Sequence, residues 1–285
     1  MPFRLEPERT FRHALAASAA AGEGPQIGLW VCSGSSLVAE IMAGSGAQWL
    51  LIDAEHSPNS LESVLAQLHA VHGYPVLPMV RLPWNDTVLI KQYLDLGAQN
   101  LLIPMVSTAE QARSAAAAVR YPPHGVRGVG SALARAARWN RIPDYLARAD
   151  ETISLMVQIE TSEAVDNVEE ILAVDGVDGI FIGPSDLAAS MGLLGQQEHP
   201  EVRAAVERCL AAASATGKPA GVNAFVEATA RHYLDHGAQF VLVGADVSIL
   251  ARSSEELASR FAAPATEGAP ADGVPAHDGD RPASY

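Results

Sequence analysis

Gly46-Ala47-Gln48-Trp49-Leu50-Leu51-Ile52-Asp53-Ala54-Glu55-His56 carries an architecture and a chemistry in one stretch. A glycine that ends a helix can take the left-handed backbone without steric penalty. An apolar run follows it at once and then stops in charge. Two carboxylates and an imidazole at the end of a buried strand are costly to keep folded unless they have partners or work to do. The same signature returns twice, as Gly97-Ala98-Gln99 before Asn100-Leu101-Leu102-Ile103 and as Gly237-Ala238-Gln239 before Phe240-Val241-Leu242-Val243. The copies are unevenly spaced, so they mark a repeated helix–strand unit and not a solenoid.

Working outward, eight β-like runs occur at residues 27–31, 49–52, 77–81, 100–106, 154–160, 179–183, 219–222 and 240–244. Most are continuously apolar, as parallel strands covered on both faces should be. Segments of helical composition lie between them, among them 61–71, 109–120, 162–174 and 200–216. Strand–helix alternation indicates parallel βαβ units, and eight units predict an α/β fold closed as a (β/α)8 barrel. The competing doubly wound open sheet lacks a GxGxxG turn after its first strand. The barrel is assigned to residues 1–263. Residues 264–285 collapse to Pro, Ala, Gly and Asp and read as a disordered tail.

Nearly half of the 285 residues are apolar, enough for a large core. A formal charge of −14 argues against nucleic acid and anionic membrane as partners. Cys32 and Cys209 form neither a disulfide framework nor a metal spacing, which suggests reduced thiols in a cytoplasmic protein. No run approaches the ~20 apolar residues of a membrane helix. The alanine-rich stretch 11–20 reads as a first helix capped by Thr10, in preference to a signal peptide.

Active sites of such barrels lie where the strands end. Glu160 ends the run 155–160, and Asp186 lies just past the run 180–185. Neighbouring strands are about 5 Å apart, so the two carboxylates could share one hard cation such as Mg2+ or Mn2+. The alternative is a capping role for Glu160 and an arginine partner for Asp186. Arg81 ends the third strand and offers a fork of donors to a carboxylate or an enolate, or else a structural salt bridge. Asp53 and His56 can form a carboxylate–imidazole pair that acts as base or proton relay. The chain has two lysines, Lys91 and Lys218, and neither ends a strand, which disfavours Schiff-base chemistry. No pyridoxal cofactor is expected.

These segments resemble the HpcH/HpaI family of class II pyruvate aldolases from about Phe11 to Phe261. The likeness rests on residues 27–30 (IGLW), 49–59 (WLLIDAEHSPN), 80–86 (VRLPWND), 90–106, 121–140, 157–160 (VQIE) and 175–192. It implies a TIM barrel whose C-terminal helix is exchanged between subunits of a homohexamer, a trimer of dimers. It further implies a divalent cation on Glu160 and Asp186, Mg2+ or Mn2+ with Co2+ or Zn2+ as other options. Pyruvate would chelate that ion, assisted by Gln158, by amides near Ser185 and Asp186, and by Trp30. Arg81 matches the residue that stabilises the enolate. His56 with Asp53 matches the dyad that works with a water on the metal, and Glu55 lies beside that water network. Asp95 matches a residue that reaches the aldehyde end from a neighbouring subunit.

The implied reaction is reversible cleavage of a 4-hydroxy-2-oxo acid, such as 4-hydroxy-2-oxoheptanedioate, into pyruvate and an aldehyde, within aromatic-compound catabolism. The glycine-rich loop 125–131, with Arg127 inside it and Arg135 and Arg138 beyond, either closes over an anionic substrate or packs between subunits. Competing readings are a lyase acting on 2-keto-3-deoxy sugar acids or a CoA thioester, and a non-catalytic protein that binds metal and keto acid.

Overall fold

The structure, a computed structural model, describes residues 3–262. Eight parallel strands close a barrel in sequence order. They are β1 (Gln26–Val31), β2 (Trp49–Asp53), β3 (Leu77–Arg81), β4 (Asn100–Ile103), β5 (Ser154–Ile159), β6 (Gly179–Ile182), β7 (Ala220–Asn223) and β8 (Phe240–Ala245). Helix α1 (Phe11–Ala21) precedes them. The connections carry α2 (Ser36–Ala43), α3 (Leu61–Val71), α4 (Thr87–Asp95), α5 (Ala109–Val119), α6 (Tyr145–Arg148), α7 (Ser162–Asp166), α8 (Val168–Leu172), α9 (Pro184–Ser190), α10 (Pro200–Thr216) and α11 (Glu227–Asp235). Helix α12 (Asp246–Ser259) follows β8. Gly46, Gly97 and Gly237 adopt φ of +92°, +100° and +97°, so the recurring signature marks helix ends as its composition requires.

Strand period places the site. On β2, Leu50 and Ile52 face the helices while Trp49 and Leu51 fill the barrel interior, so Asp53 also points inward. The same alternation turns Arg81 inward after Met79, and Gln158 and Glu160 inward after Met156. Trp49, Phe181 and Phe240 pack on one another inside the barrel, with Phe11 of α1 closing the mouth where the strands begin. Small residues make that packing possible. A Cβ on Gly28 would sit 2.3 Å from the Trp49 ring, and one on Gly221 2.2 Å from the Phe240 ring. Gly28→Ala is therefore expected to lower stability by roughly 2–3 kcal/mol. An unchanged urea midpoint would show that the interior can yield there.

Most strand ends fall within one residue of the expected bounds, and the larger local differences have physical reasons. Strand β4 stops at Ile103, short of the expected 106, because Pro104 has no N–H for the ladder and Met105 turns into the left-handed region at φ 55. The helix expected over 162–174 divides at Asn167, whose side-chain amide bonds the Ser107 carbonyl at 2.9 Å. Thr10 stands at the N-cap of α1, but its hydroxyl meets the His13 ring at 2.9 Å instead of a helix amide. The proposed tail, 264–285, lies outside the described residues. Among the described residues no helix is long and apolar enough to cross a membrane.

Candidate active site

Register brings the first pair together. Asp53 and Arg81 are Cα partners at the ends of β2 and β3, and Arg81 Nε lies 2.9 Å from Asp53 Oδ1. Arg81 Nη1 lies 2.9 Å from Glu55 Oε2. The guanidinium stacks 4.4 Å above the Trp30 ring, whose Nε1–H donates to Asn223 Oδ1 at 2.8 Å. Arg81 is thus fixed by two carboxylates and an aromatic face contributed by three neighbouring loops and strands. Burial opposes the charge of Asp53, but the guanidinium and the N–H groups of the loop outweigh it and hold its carboxyl below the usual range. Burial also works against the Arg81 cation, and the Asp53 pair more than offsets that, raising its affinity for the proton.

The second group forms on β5 and β6. Glu160 Oε1 accepts the Met105 N–H at 2.6 Å, and Oε2 accepts the Gln158 side-chain amide. A Cβ on Gly183 would fall 2.8 Å from Gln158 Nε2 and 3.1 Å from Glu160 Oε2, so any larger residue leading into α9 would push these two side-chain ends out of their present places. Asp186 lies exposed in the first turn of α9, with Ser185 half-buried beside it. Burial pushes Glu160 up to about 7, and the nearby Glu55 and Asp186 charges add to it. Glu55 is raised by burial as well, with Arg81 and His56 pulling the other way.

Asp53 and Glu55 thus take the one guanidinium, Glu160 and Asp186 lie near Glu55 with no cation in contact with them among the described residues, and Gln158 Oε1 is buried without a hydrogen-bond partner. Both are defects that a hard divalent cation would correct, and the oxygen donors of Glu160 and Asp186 fit such an ion.

Several expected residues stand differently. Asp53 does not pair with the His56 ring. Its oxygens are taken by Arg81, by the Glu55 N–H at 3.0 Å, by the Ser57 hydroxyl at 2.9 Å and by the His56 main-chain N–H at 3.3 Å. The His56 side chain is 67% exposed, with Nε2 3.8 Å from Glu55 Oε1. Asp53 therefore shapes the loop that carries His56, and Glu55 is the carboxylate beside the ring. Asp95 ends α4, just before β4 begins, at the mouth of the barrel remote from the rim. There it pairs with Arg127 at 3.1 Å.

The arginines of the expected lid are likewise engaged elsewhere. Arg127 is buried against Tyr121, Arg135 bonds the Leu96 carbonyl, and Arg138 pairs with Glu8. In this chain they anchor the segment between α5 and β5 and do not cover the rim. Lys218 Nζ bonds the Val174 carbonyl at 3.0 Å, ahead of β7, and Lys91 lies within α4. A cavity of about 480 Å3 opens at that same remote mouth, lined by Glu8, Gln26, Gln48, Asn100 and Arg135 among others. It faces the end of the barrel opposite to where this architecture places its chemistry.

Asn223, Met105 and Gly183 were not singled out in the sequence. Period-2 alternation on β7 is a usable signal for Asn223, two residues beyond the inward-facing Gly221.

The family model for HpcH/HpaI aldolase/citrate lyase matches residues 26–253. A protein of Salmonella dublin, 4-hydroxy-2-oxo-heptane-1,7-dioate aldolase, is 57% identical over 239 residues, covering 84% of this chain and 91% of that protein. The crystal structure of an HpcH/HpaI aldolase/citrate lyase family protein from Burkholderia cenocepacia J2315 has a TM-score of 0.82 at 40% identity, covering 87% of this chain and 98% of that one. The HpcH/HpaI aldolase from Desulfitobacterium hafniense DCB-2 has a TM-score of 0.78 at 28% identity, covering 88% and 98%. With its closed parallel barrel and an acidic rim around one buried arginine, the chain belongs to the HpcH/HpaI aldolase/citrate lyase family.

Proposed function

We propose that this chain is a divalent-metal-dependent aldolase that cleaves a 4-hydroxy-2-oxo acid reversibly into pyruvate and an aldehyde. One observation carries the reading: Glu160 sits buried at the rim, held by Met105 and Gln158, facing the acids Glu55 and Asp186. The 57% identical relative named 4-hydroxy-2-oxo-heptane-1,7-dioate aldolase supports the substrate class.

Glu160 and Asp186 would hold the cation, Mg2+ or Mn2+. When bound, that ion polarises the keto group of the substrate and stabilises negative charge on its oxygen. Arg81 has five N–H donors, of which Nε and one on Nη1 face carboxylates, and the others are left for that same oxygen. In cleavage, a base takes the proton of the 4-hydroxyl, the C3–C4 bond breaks, the aldehyde departs, and C3 of the pyruvate enolate is protonated. His56 handles these protons, with Glu55 beside its ring. Ser185, Gln158 and Trp30 complete the pyruvate pocket.

Asp95 would act only in an assembly, from a neighbouring subunit. A homohexamer with exchanged C-terminal helices is supported by α12, which leaves Val247, Ile249, Leu250 and Leu257 uncovered.

The test is pyruvate release from a panel of 4-hydroxy-2-oxo acids, with 2-keto-3-deoxy sugar acids and CoA thioesters alongside. Chelation is expected to lower the rate roughly 100-fold or more, and added Mg2+ or Mn2+ to restore it. Turnover that survives exhaustive chelation, or a borohydride-trapped adduct, would remove the metal-dependent reading.

A further inference from the structure

We propose that Glu207, His232 and His236 form a second metal site, on the outside of the barrel, which takes an imidazole-preferring ion such as Zn2+ and ties α10 to α11. His232 lies in the last turn of α11, and His236 is the residue that caps it. The i, i+4 spacing sets both rings on one helix face, with centroids 4.1 Å apart. Glu207 reaches across from α10, and its Oε1 lies 2.7 Å from His232 Nε2. One potential ligand atom from each residue falls within 4.8 Å of the others.

The hydrogen bonds fix what the rings can offer. His236 Nδ1 lies 2.7 Å from the His232 carbonyl, which can only accept, so Nδ1 carries the proton and Nε2 keeps the lone pair. A main-chain carbonyl holding the far nitrogen is the arrangement that orients a metal-binding imidazole. His232 Nε2 faces a carboxylate, so it carries a proton that an incoming cation would displace, leaving Glu207 and His232 as two ligands on one ion. Zn2+–nitrogen bonds of about 2.0–2.1 Å need ligand atoms roughly 3.3 Å apart in a tetrahedron. His236 is exposed, and a small rotation of its ring about the Nδ1–carbonyl bond would bring Nε2 in to close the set. A Glu–His pair alone explains His232 and Glu207, but not a second imidazole with its tautomer fixed against the first.

Ligand chemistry separates this site from the rim. Two imidazoles and one carboxylate favour Zn2+, Ni2+ or Cu2+, whereas Glu160 and Asp186 offer oxygen alone and suit Mg2+ or Mn2+.

The test uses untagged full-length protein with Glu160→Gln and Asp186→Asn together, so that the rim no longer competes for the probe. Calorimetric titration with Zn2+ alone is expected to give one ion per chain, and Zn2+ to raise the melting temperature. Adding His236→Ala should weaken Zn2+ binding by roughly 10- to 100-fold and abolish that rise. His236→Ala in the otherwise native chain should leave pyruvate release with Mg2+ unchanged. The site does not exist if the rim-silenced protein binds no Zn2+, or if His236→Ala leaves affinity and melting shift intact. Neither readout depends on turnover, so failure here and failure of the aldolase reading are separable.

Discussion

Glu160→Gln is expected to lower kcat/KM for pyruvate release by about 1,000-fold, roughly 4 kcal/mol of transition-state stabilisation, with the barrel intact. The substitution is chosen for what it preserves. A glutamine side chain has nearly the same volume, and its carbonyl oxygen can still accept the Met105 N–H that now reaches Glu160 Oε1 at 2.6 Å. It removes the negative charge, which is what a cation shared with Asp186 requires, and turns Oε2 into a donor that Gln158 can meet by rotating its amide so that its unpartnered Oε1 accepts. The present carboxylate is buried near two other acids, so the metal-free variant should melt no lower than the wild type. That expectation separates a lost ligand from a lost fold. Raising the Mg2+ concentration should recover part of the activity if affinity is the main loss. Near-normal kcat/KM at ordinary Mg2+ would show that Glu160 holds no ion.

Most of the barrel was legible because its signals are local. A glycine that must end a helix, an apolar run and a polar stop recur along the chain, and strand period then decides which side chains face inward. Trp49, Leu51 and Asp53 lie on one side of β2 by that rule alone, as do Met156, Gln158 and Glu160 on β5. Register is not local. Asp53 and His56 are three residues apart and invite pairing, yet the true partner of Asp53 is Arg81, placed opposite it only when β2 and β3 align. The Leu-Ile-Pro-Met run gave no hint that Met105 would turn left-handed and aim its N–H at Glu160. Asp95 sits at a helix end that an assembly, and not this chain, could bring near the chemistry.

Arg81→Ala is expected to abolish turnover and to destabilise the protein by about 3–5 kcal/mol, because it leaves Asp53 and Glu55 buried without their cation. The pH dependence gives the sharper reading. In the wild type Asp53 is held below the usual carboxylate range, so the unfolded chain binds its proton first as pH falls. Stability from this pair is full above about pH 4 and is lost as pH drops through the folded value. Without Arg81 burial dominates, Asp53 takes a proton more readily in the folded state, and the slope reverses. The destabilisation should therefore shrink between about pH 7 and about pH 4, measured by urea unfolding. Arg81→Lys keeps the charge but not the fork, and one ammonium cannot replace both Nε and Nη1 while stacking flat on Trp30. It should recover much of the stability while kcat stays about 100-fold down or lower. A destabilisation equal at both pH values would mean that lost packing on Trp30, and not the ion pair, is what Arg81 contributes to the fold. Wild-type kcat in Arg81→Lys would mean that the oxygen gaining charge does not rest on the guanidinium.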